Sequence, residues 1–260
     1  MKWLIYNFLR KTYRVIFRNK LITPLIELKL LNFPRYFGFF ISYIRYRLKS
    51  KDNKPKFKNI YPQLEDKTKD TRPNPHYFYQ AVWTAGKIIK TKPKEHIDTG
   101  SQVDLIGFLT NITKVKFVDL RPLALGLSNL EIVKGDITCL PFPNGSIKSL
   151  SCLHVAEHIG LGRYGDELDP RGTEKACQEL VRVLAQKGNL YFSLPIGHER
   201  TEFNAHRVHR PQTIIDYFNG LKLIEFSVVS DAGQLILNAN PNDFEKSRFS
   251  CGLFHFQKIN

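Results

Sequence analysis

The chain has 260 residues, 42% of them apolar and 12% aromatic, enough for one large core and too many for a globally disordered polypeptide. Its formal charge is +15, and fifteen basic against two acidic residues put +13 of it into positions 1–58, leaving a nearly neutral body. No window supplies the roughly 18 uncharged apolar residues that cross a bilayer, and no small-residue cleavage site follows the short apolar run at the start, so neither a spanning protein nor a conventionally secreted one is expected.

Positions 1–75 read as a basic, aromatic, largely helical arm that ends in a polar linker. Trp3, Tyr6, Phe8, Tyr13, Phe17, Phe37, Phe40 and Tyr43 alternate with Lys and Arg. That pattern suits a helix lying on an anionic membrane surface through residues 1–58, or one packed on its own domain. Nucleic-acid binding is the weaker reading of the same patch. Positions 49–75 are rich in Lys, Asp and Pro and lack apolar periodicity, so the boundary falls there, with one domain over 76–260.

Apolar residues at helical spacing predict a helix over 77–89. Strands follow at 96–100, 115–120, 130–136 and 147–154, then a helix over 172–184 and a strand over 188–195. The tail adds a helix around 213–218 and strands at 223–229 and 253–259. Strands separated by helices predict an α/β fold, a mostly parallel sheet with helices on both faces. Of the four cysteines, Cys139, Cys152, Cys177 and Cys251, none forms a CxxC pair. Free thiols in a reducing, cytoplasmic setting, in places peripheral to a membrane, are the expectation, with Cys139, Cys152 and Cys251 among apolar neighbours.

In doubly wound sheets a ligand sits beyond the C-terminal strand ends. The first strand ends in Asp98-Thr99-Gly100-Ser101, where glycine lets a ligand approach the main chain. Asp119 ends the second strand twenty-one positions after Asp98, the spacing at which a carboxylate meets ribose hydroxyls. Gly135-Asp136 ends the third. After the fourth comes a dense stretch holding His154, Glu157, His158, Arg163, Tyr164, Asp166 and Asp169.

The strings HIDTGS, FVDLRP, GDITCLPFPNGSIKSLSCLHVAEHIG and ELVRVLAQKGNLYFSLP, in that order, resemble a Rossmann-like class I S-adenosylmethionine-dependent methyltransferase. SLSCLHVAEHIGLGRYGDELDPRGT with FNAHRVH resembles, more closely, the methyltransferase-like family called domain of unknown function 268. The resemblance covers residues from about 77 onward and implies an antiparallel C-terminal strand and S-adenosylmethionine as cofactor. It implies that Asp98 and Gly100 support the methionine part of the cofactor, Asp119 its ribose, and Asp136 with Ile137 its adenine. Gln102 and Asp104 stand where the family's motif carries its second and third glycines.

In methyl transfer the protein aligns the acceptor and removes its proton. His154 or His158 is the expected base, with Glu157 orienting the imidazole. Arg163, Tyr164, Asp166, His206 and Arg207 are expected to grip the acceptor, a hydroxyl-bearing small molecule or glycan. A competing reading takes His154-Val155-Ala156-Glu157-His158 as the zinc motif of inverted metalloproteases, with Glu225 as third ligand. That motif requires a continuous helix, which a strand followed by Gly160 and Gly162 does not favour. A divalent-ion site among His154, His158, His198, His206, His209, Asp166 and Asp169 competes with a polar network of the same residues. The network is preferred, and no metal ligand is assigned. A methyltransferase-like scaffold without activity is the alternative from a different class.

Overall fold

The computed structural model describes residues 33–52, 54–71 and 73–259; the part of the arm expected over 1–32 lies outside them. The chain divides into two compact units, Met1–Arg72 and Pro73–Asn260. In the first, helix α1 (Phe33–Lys49) ends in Arg47 and Lys49, cations suited to the negative end of a helix dipole. Tyr43 Oη and Arg47 Nη1 both donate to the Pro55 carbonyl, at 3.0 and 3.1 Å, and fold the following chain back along the helix. Among the described residues no helix is long and apolar enough to cross a membrane.

The second unit opens with α2 (Pro75–Thr91). Asn74 caps it by accepting from the His76 amide at 3.0 Å, and Pro75 occupies a first-turn position where its missing N–H costs nothing. Then follow β1 (Glu95–Thr99), α3 (Val103–Leu109), β2 (Lys114–Asp119), β3 (Leu130–Lys134) and β4 (Ile147–Leu153). Next come α4 (Gly172–Val183), β5 (Leu184–Ile196), β6 (Arg200–Glu202), β7 (His206–Val208) and α5 (Pro211–Tyr217), and last β8 (Leu221–Val229), β9 (Leu235–Ile236) and β10 (Ser250–Lys258).

Eight strands form one sheet in the order β3-β2-β1-β4-β5-β10-β8-β9. The first five are mutually parallel, and β10 enters antiparallel between β5 and β8. This is the expected Rossmann-like sheet with its antiparallel last strand. Two details differ from expectation. The links from β2 to β3 and from β3 to β4 contain no helix, and β5 begins directly off α4 at Leu184 with Gly188 inside it. The β6–β7 hairpin stands apart as a two-stranded sheet.

Both faces of the sheet are covered. On one, Leu150, Cys152, Phe192 and Phe254 pack against Ala176, Leu180 and Val183 of α4, the helical face expected from the sequence. On the other, Trp83 and Ile88 of α2 and Leu105, Ile106 and Leu109 of α3 meet Phe117, Tyr191 and Leu253. All four cysteines are free; Cys152, Cys177 and Cys251 are buried, whereas Cys139, expected among apolar neighbours, is exposed. Leu180 has no exposed surface, so Leu180→Ala should cost about 2–5 kcal/mol through lost burial and the cavity it leaves. Urea denaturation of the two proteins measures the difference.

Candidate active site

Because β1 to β4 run parallel, their C-terminal ends lie along one edge, and the strand order reverses between β1 and β4. Gly100, Asp119, Asp136 and His154 follow those ends. They border two adjoining hollows of about 750 and 470 Å³ that share Gly100, Asp119, His154, His158 and Tyr164. Crevices at such reversal points are the usual ligand sites of open α/β sheets.

Gly100 has φ +69, and a Cβ there would stand 3.2 Å from Val155 Cγ1 and 3.6 Å from Asp119 Oδ2. Any side chain at this position would be strained and would crowd the cleft. Asp119 Oδ1 accepts from the Arg121 amide at 2.7 Å, which leaves Oδ2 on the cleft side. Asp136 Oδ1 accepts from the amide and hydroxyl of Thr138, both at 2.8 Å. Ile137 lines the second hollow beside it. Gln102 lines the first hollow, its amide 3.3 Å from Asp104 Oδ2. These residues fit a nucleoside-bearing cofactor: a main-chain approach at Gly100, an available carboxylate oxygen at Asp119, and an apolar edge at Ile137.

Asp98, expected in contact with the cofactor, is instead fully buried beneath the loop. It accepts from the Ser101 amide at 2.9 Å and from the Ser151 hydroxyl across the β1–β4 boundary. Its role is to anchor the Gly100 turn. Burial raises its carboxyl pKa to about 6 against the pull of those hydrogen bonds. Ser151 Oγ and Ser149 Oγ each lie 2.8 Å from a His96 ring nitrogen, and burial lowers that imidazole to about 3, so it is neutral.

The opposite wall is built by the turn after β4. His154 adopts φ +56, its amide donating to the Ser193 carbonyl at 2.9 Å. Its Nδ1 lies 2.8 Å from Oε1 of the fully buried Glu157. Burial opposes charge on both groups. The Cys251 thiol and Glu157 outweigh it for His154, which is held well above the ordinary imidazole value. For Glu157 the His154 imidazole outweighs burial, and the carboxyl falls below its usual range. His158 Nδ1 is 2.7 Å from the Ala205 carbonyl. A carbonyl only accepts, so the ring proton sits on Nδ1 and Nε2 keeps its lone pair. Burial holds His158 below its ordinary value, hence neutral.

Ala156–His158 is a single 3-10 turn rather than the helix a metalloprotease motif needs. Glu225, its supposed third ligand, accepts from Trp83 Nε1 at 2.9 Å and pairs with Lys87. The metalloprotease reading is therefore set aside.

Of the expected acceptor-binding residues, Arg163, Tyr164 and His206 line the first hollow. Arg121 and Arg163 approach the Tyr164 ring at 4.4 and 5.1 Å. Asp166 lines the second hollow and Arg207 lines neither, and both hold the loop in place. The Asp166 carboxylate accepts from the amides of Gly160 at 2.6 Å and Tyr164 at 3.1 Å, closing its own loop. Buried Arg207 donates to the carbonyls of Ile159 and Asp169 and clamps that loop from below. Asp169 pairs with Lys175 at 2.6 Å, and His209 lies 3.3 Å from Glu199, away from the hollow. The polar-network reading thus describes Asp166, Asp169, Arg207 and His209. Sequence reading missed His76 and Phe249, which also line the hollow, the His76 ring stacking on His154 at 5.5 Å and on Phe249 at 5.3 Å.

With this geometry in place the comparisons with other proteins can be read. The family described as Caenorhabditis protein of unknown function, DUF268, matches residues 145–248. The match runs from just before β4 to the turn before β10 and includes the whole histidine wall except His76 and Phe249. Among solved structures, N-methyltransferase NodS from Bradyrhizobium japonicum WM9, in complex with S-adenosyl-L-homocysteine, is 16% identical with a TM-score of 0.52, covering 84% of this chain and 97% of that one. The [4+2]-cyclase SpnF is 12% identical with a TM-score of 0.51, covering 70% and 80%. At these identities the fold is what is shared: the second unit has the Rossmann-like fold of these structures. No curated protein matches in sequence.

The anchoring carboxylate makes a stability test. A carboxyl raised from 3.8 to about 6 on folding binds its proton more tightly in the native state, so its contribution is favourable below about pH 4 and is lost as pH rises through 6. Asp98→Asn keeps an acceptor for the Ser101 amide and removes the charge. The variant should gain on the wild type as pH rises from about 3 to 7, by a difference approaching about 3 kcal/mol in urea denaturation, and the gain should level off above that.

Proposed function

We propose that the second unit is an S-adenosylmethionine-dependent methyltransferase acting on a hydroxyl-bearing small molecule or glycan. The observation that carries the reading is a single cleft, at the point where strand order reverses, with Gly100 and Asp119 at one end and neutral His158 at the other. Bound there, the cofactor supplies an electrophilic sulfonium methyl group. Gly100 admits it to the main chain, Asp119 Oδ2 accepts from the ribose hydroxyls, and Asp136 with Ile137 borders the adenine. Arg163, Tyr164 and His206 offer the acceptor donors and an aromatic face.

His158 is the base in this scheme. It is neutral, its ring proton is held at Nδ1 by the Ala205 carbonyl, and Glu157 Oε1, 3.8 Å from Nε2, is itself an acceptor that cannot engage the Nε2 lone pair. His154 is the poorer candidate, because its Nδ1 is engaged by Glu157 and its imidazole is held above the ordinary value. Tyr77, Tyr164 and Phe249 line the hollow with aromatic faces, and productive alignment is the larger part of the rate.

Calorimetry with S-adenosylmethionine is the first test, and Asp119→Asn should weaken binding about tenfold, the loss of one charge-assisted bond. His158→Ala should leave folding and cofactor affinity intact and lower turnover about a hundredfold. In the wild type, turnover should rise with pH through a value below 6.5 and level off near neutrality, because the base must be unprotonated. Near-normal turnover in His158→Ala rejects the base assignment. A folded protein that binds no S-adenosylmethionine rejects the enzyme and leaves a methyltransferase-like binding protein whose cleft Gln102 occupies.

A further inference from the structure

We infer that His76, His154 and Cys251 form a zinc-type metal site at the inner end of the cleft. The three residues come from separate elements: the first turn of α2, the turn after β4, and β10. Among the described residues they are the one group of His, Cys, Asp or Glu side chains whose ligand atoms converge, all within 4.8 Å of one another. Tetrahedral ligands at zinc bond lengths stand about 3.3–3.6 Å apart, so small side-chain rotations complete the set.

A second, independent observation points to a ligand. His154 Nε2 is buried without a hydrogen-bond partner, in a side chain only 7% exposed. Buried polar atoms are seldom left so in native proteins unless something outside the chain meets them. On the other side of the ring, Nδ1 is held 2.8 Å from Glu157 Oε1. That carboxylate–imidazole pairing is what fixes ring orientation and raises ligand basicity in metal-bound histidines.

The other two ligands are also positioned by their surroundings. Asn74 caps the helix turn that carries His76. Asp231 accepts from the amides of Arg248 and Phe249, both at 2.8 Å, and from the Ser250 hydroxyl at 3.0 Å, setting the turn that leads into Cys251.

Two imidazoles and a thiolate select zinc over magnesium or calcium, which prefer oxygen. His76 and His154 line the cleft while Cys251, with no exposed surface, lies behind them. A substrate therefore does not reach the sulfur directly, which sets aside a nucleophilic cysteine. Three protein ligands leave the fourth position open to the cleft, as in catalytic zinc sites. This deepens, and rests on, the reading of the cleft as an acceptor site. An acceptor hydroxyl oxygen bound to the ion loses its proton to His158 Nε2; its bond to the methyl carbon then forms as the sulfonium S–C bond breaks, leaving a thioether.

The test uses the full chain, with zinc and with Co(II) as a spectroscopic substitute. About one zinc per chain should survive dialysis into metal-free buffer. Co(II) should give tetrahedral visible bands and a thiolate charge-transfer band that Cys251→Ser removes and Cys139→Ser keeps. His76→Ala or His154→Ala should weaken zinc binding at least tenfold. A folded wild-type chain that retains no zinc and gives no Co(II) bands overturns the site. The wild-type spectrum decides even where a variant fails to fold. Cofactor calorimetry is scored separately: S-adenosylmethionine binding without metal removes this site and leaves the methyltransferase reading, and metal without cofactor binding does the reverse.

Discussion

The Ser151 hydroxyl donates to Asp98 across the boundary between β1 and β4, the place where the sheet reverses its order. Asp98 also accepts from the Ser101 amide, and Ser101 Oγ in turn accepts from the Leu153 amide at 3.0 Å. These bonds tie the Gly100 turn to the end of β4 rather than to its own strand alone. The spacing between the glycine loop and the histidine wall follows from them. Gly100 lies against Val155, one residue past His154, where an added methyl group would crowd Cγ1 at 3.2 Å. The tie carries an electrostatic cost, since a fully buried carboxylate resists ionisation. An apolar pair would hold β1 to β4 with less penalty, and it would not fix the turn.

The two ends of the cleft are built by different means. The glycine end uses strand termini that recur along the sheet, so its geometry is a property of the fold. The histidine end draws on α2, the turn after β4, the β6–β7 hairpin and the approach to β10, four places with no repeat between them. Distant structures that share the sheet therefore inform the first end and say little about the second. A methyltransferase and a cyclase on one architecture illustrate the same separation of fold from chemistry.

The division also explains what the sequence revealed. Gly100, Asp119 and Asp136 were legible because each closes an apolar run, and strand ends of a parallel sheet share an edge. Asp98 was legible as important and misread in role, because His96 to Thr99 are buried throughout and no alternation marks which side chain faces the cleft. Asp166 and Arg207 look like ligands in sequence. Their assignments turn on the backbone amides and carbonyls of one loop, a juxtaposition that only the folded chain reveals. The missing helices after β2 and β3 had a signal in Pro122, Gly126, Pro141 and Pro143, residues that stop a helix in links too short to cross with one. His76 and Cys251 stand 175 positions apart, and one lies at the edge of a linker. Nothing local joins them.

The cleft gathers features that stability alone disfavours. His154 sits at a positive φ uncommon outside glycine and asparagine. Glu157 is buried with no hydrogen bond to Oε2, His154 Nε2 is buried without one, and Asp98 is a buried acid. Chains without a ligand to meet relieve such costs readily, because most single changes at these positions would substitute a neutral or apolar side chain. Strained backbone and buried polar groups cluster at places where a fold is organised around a ligand rather than around packing alone.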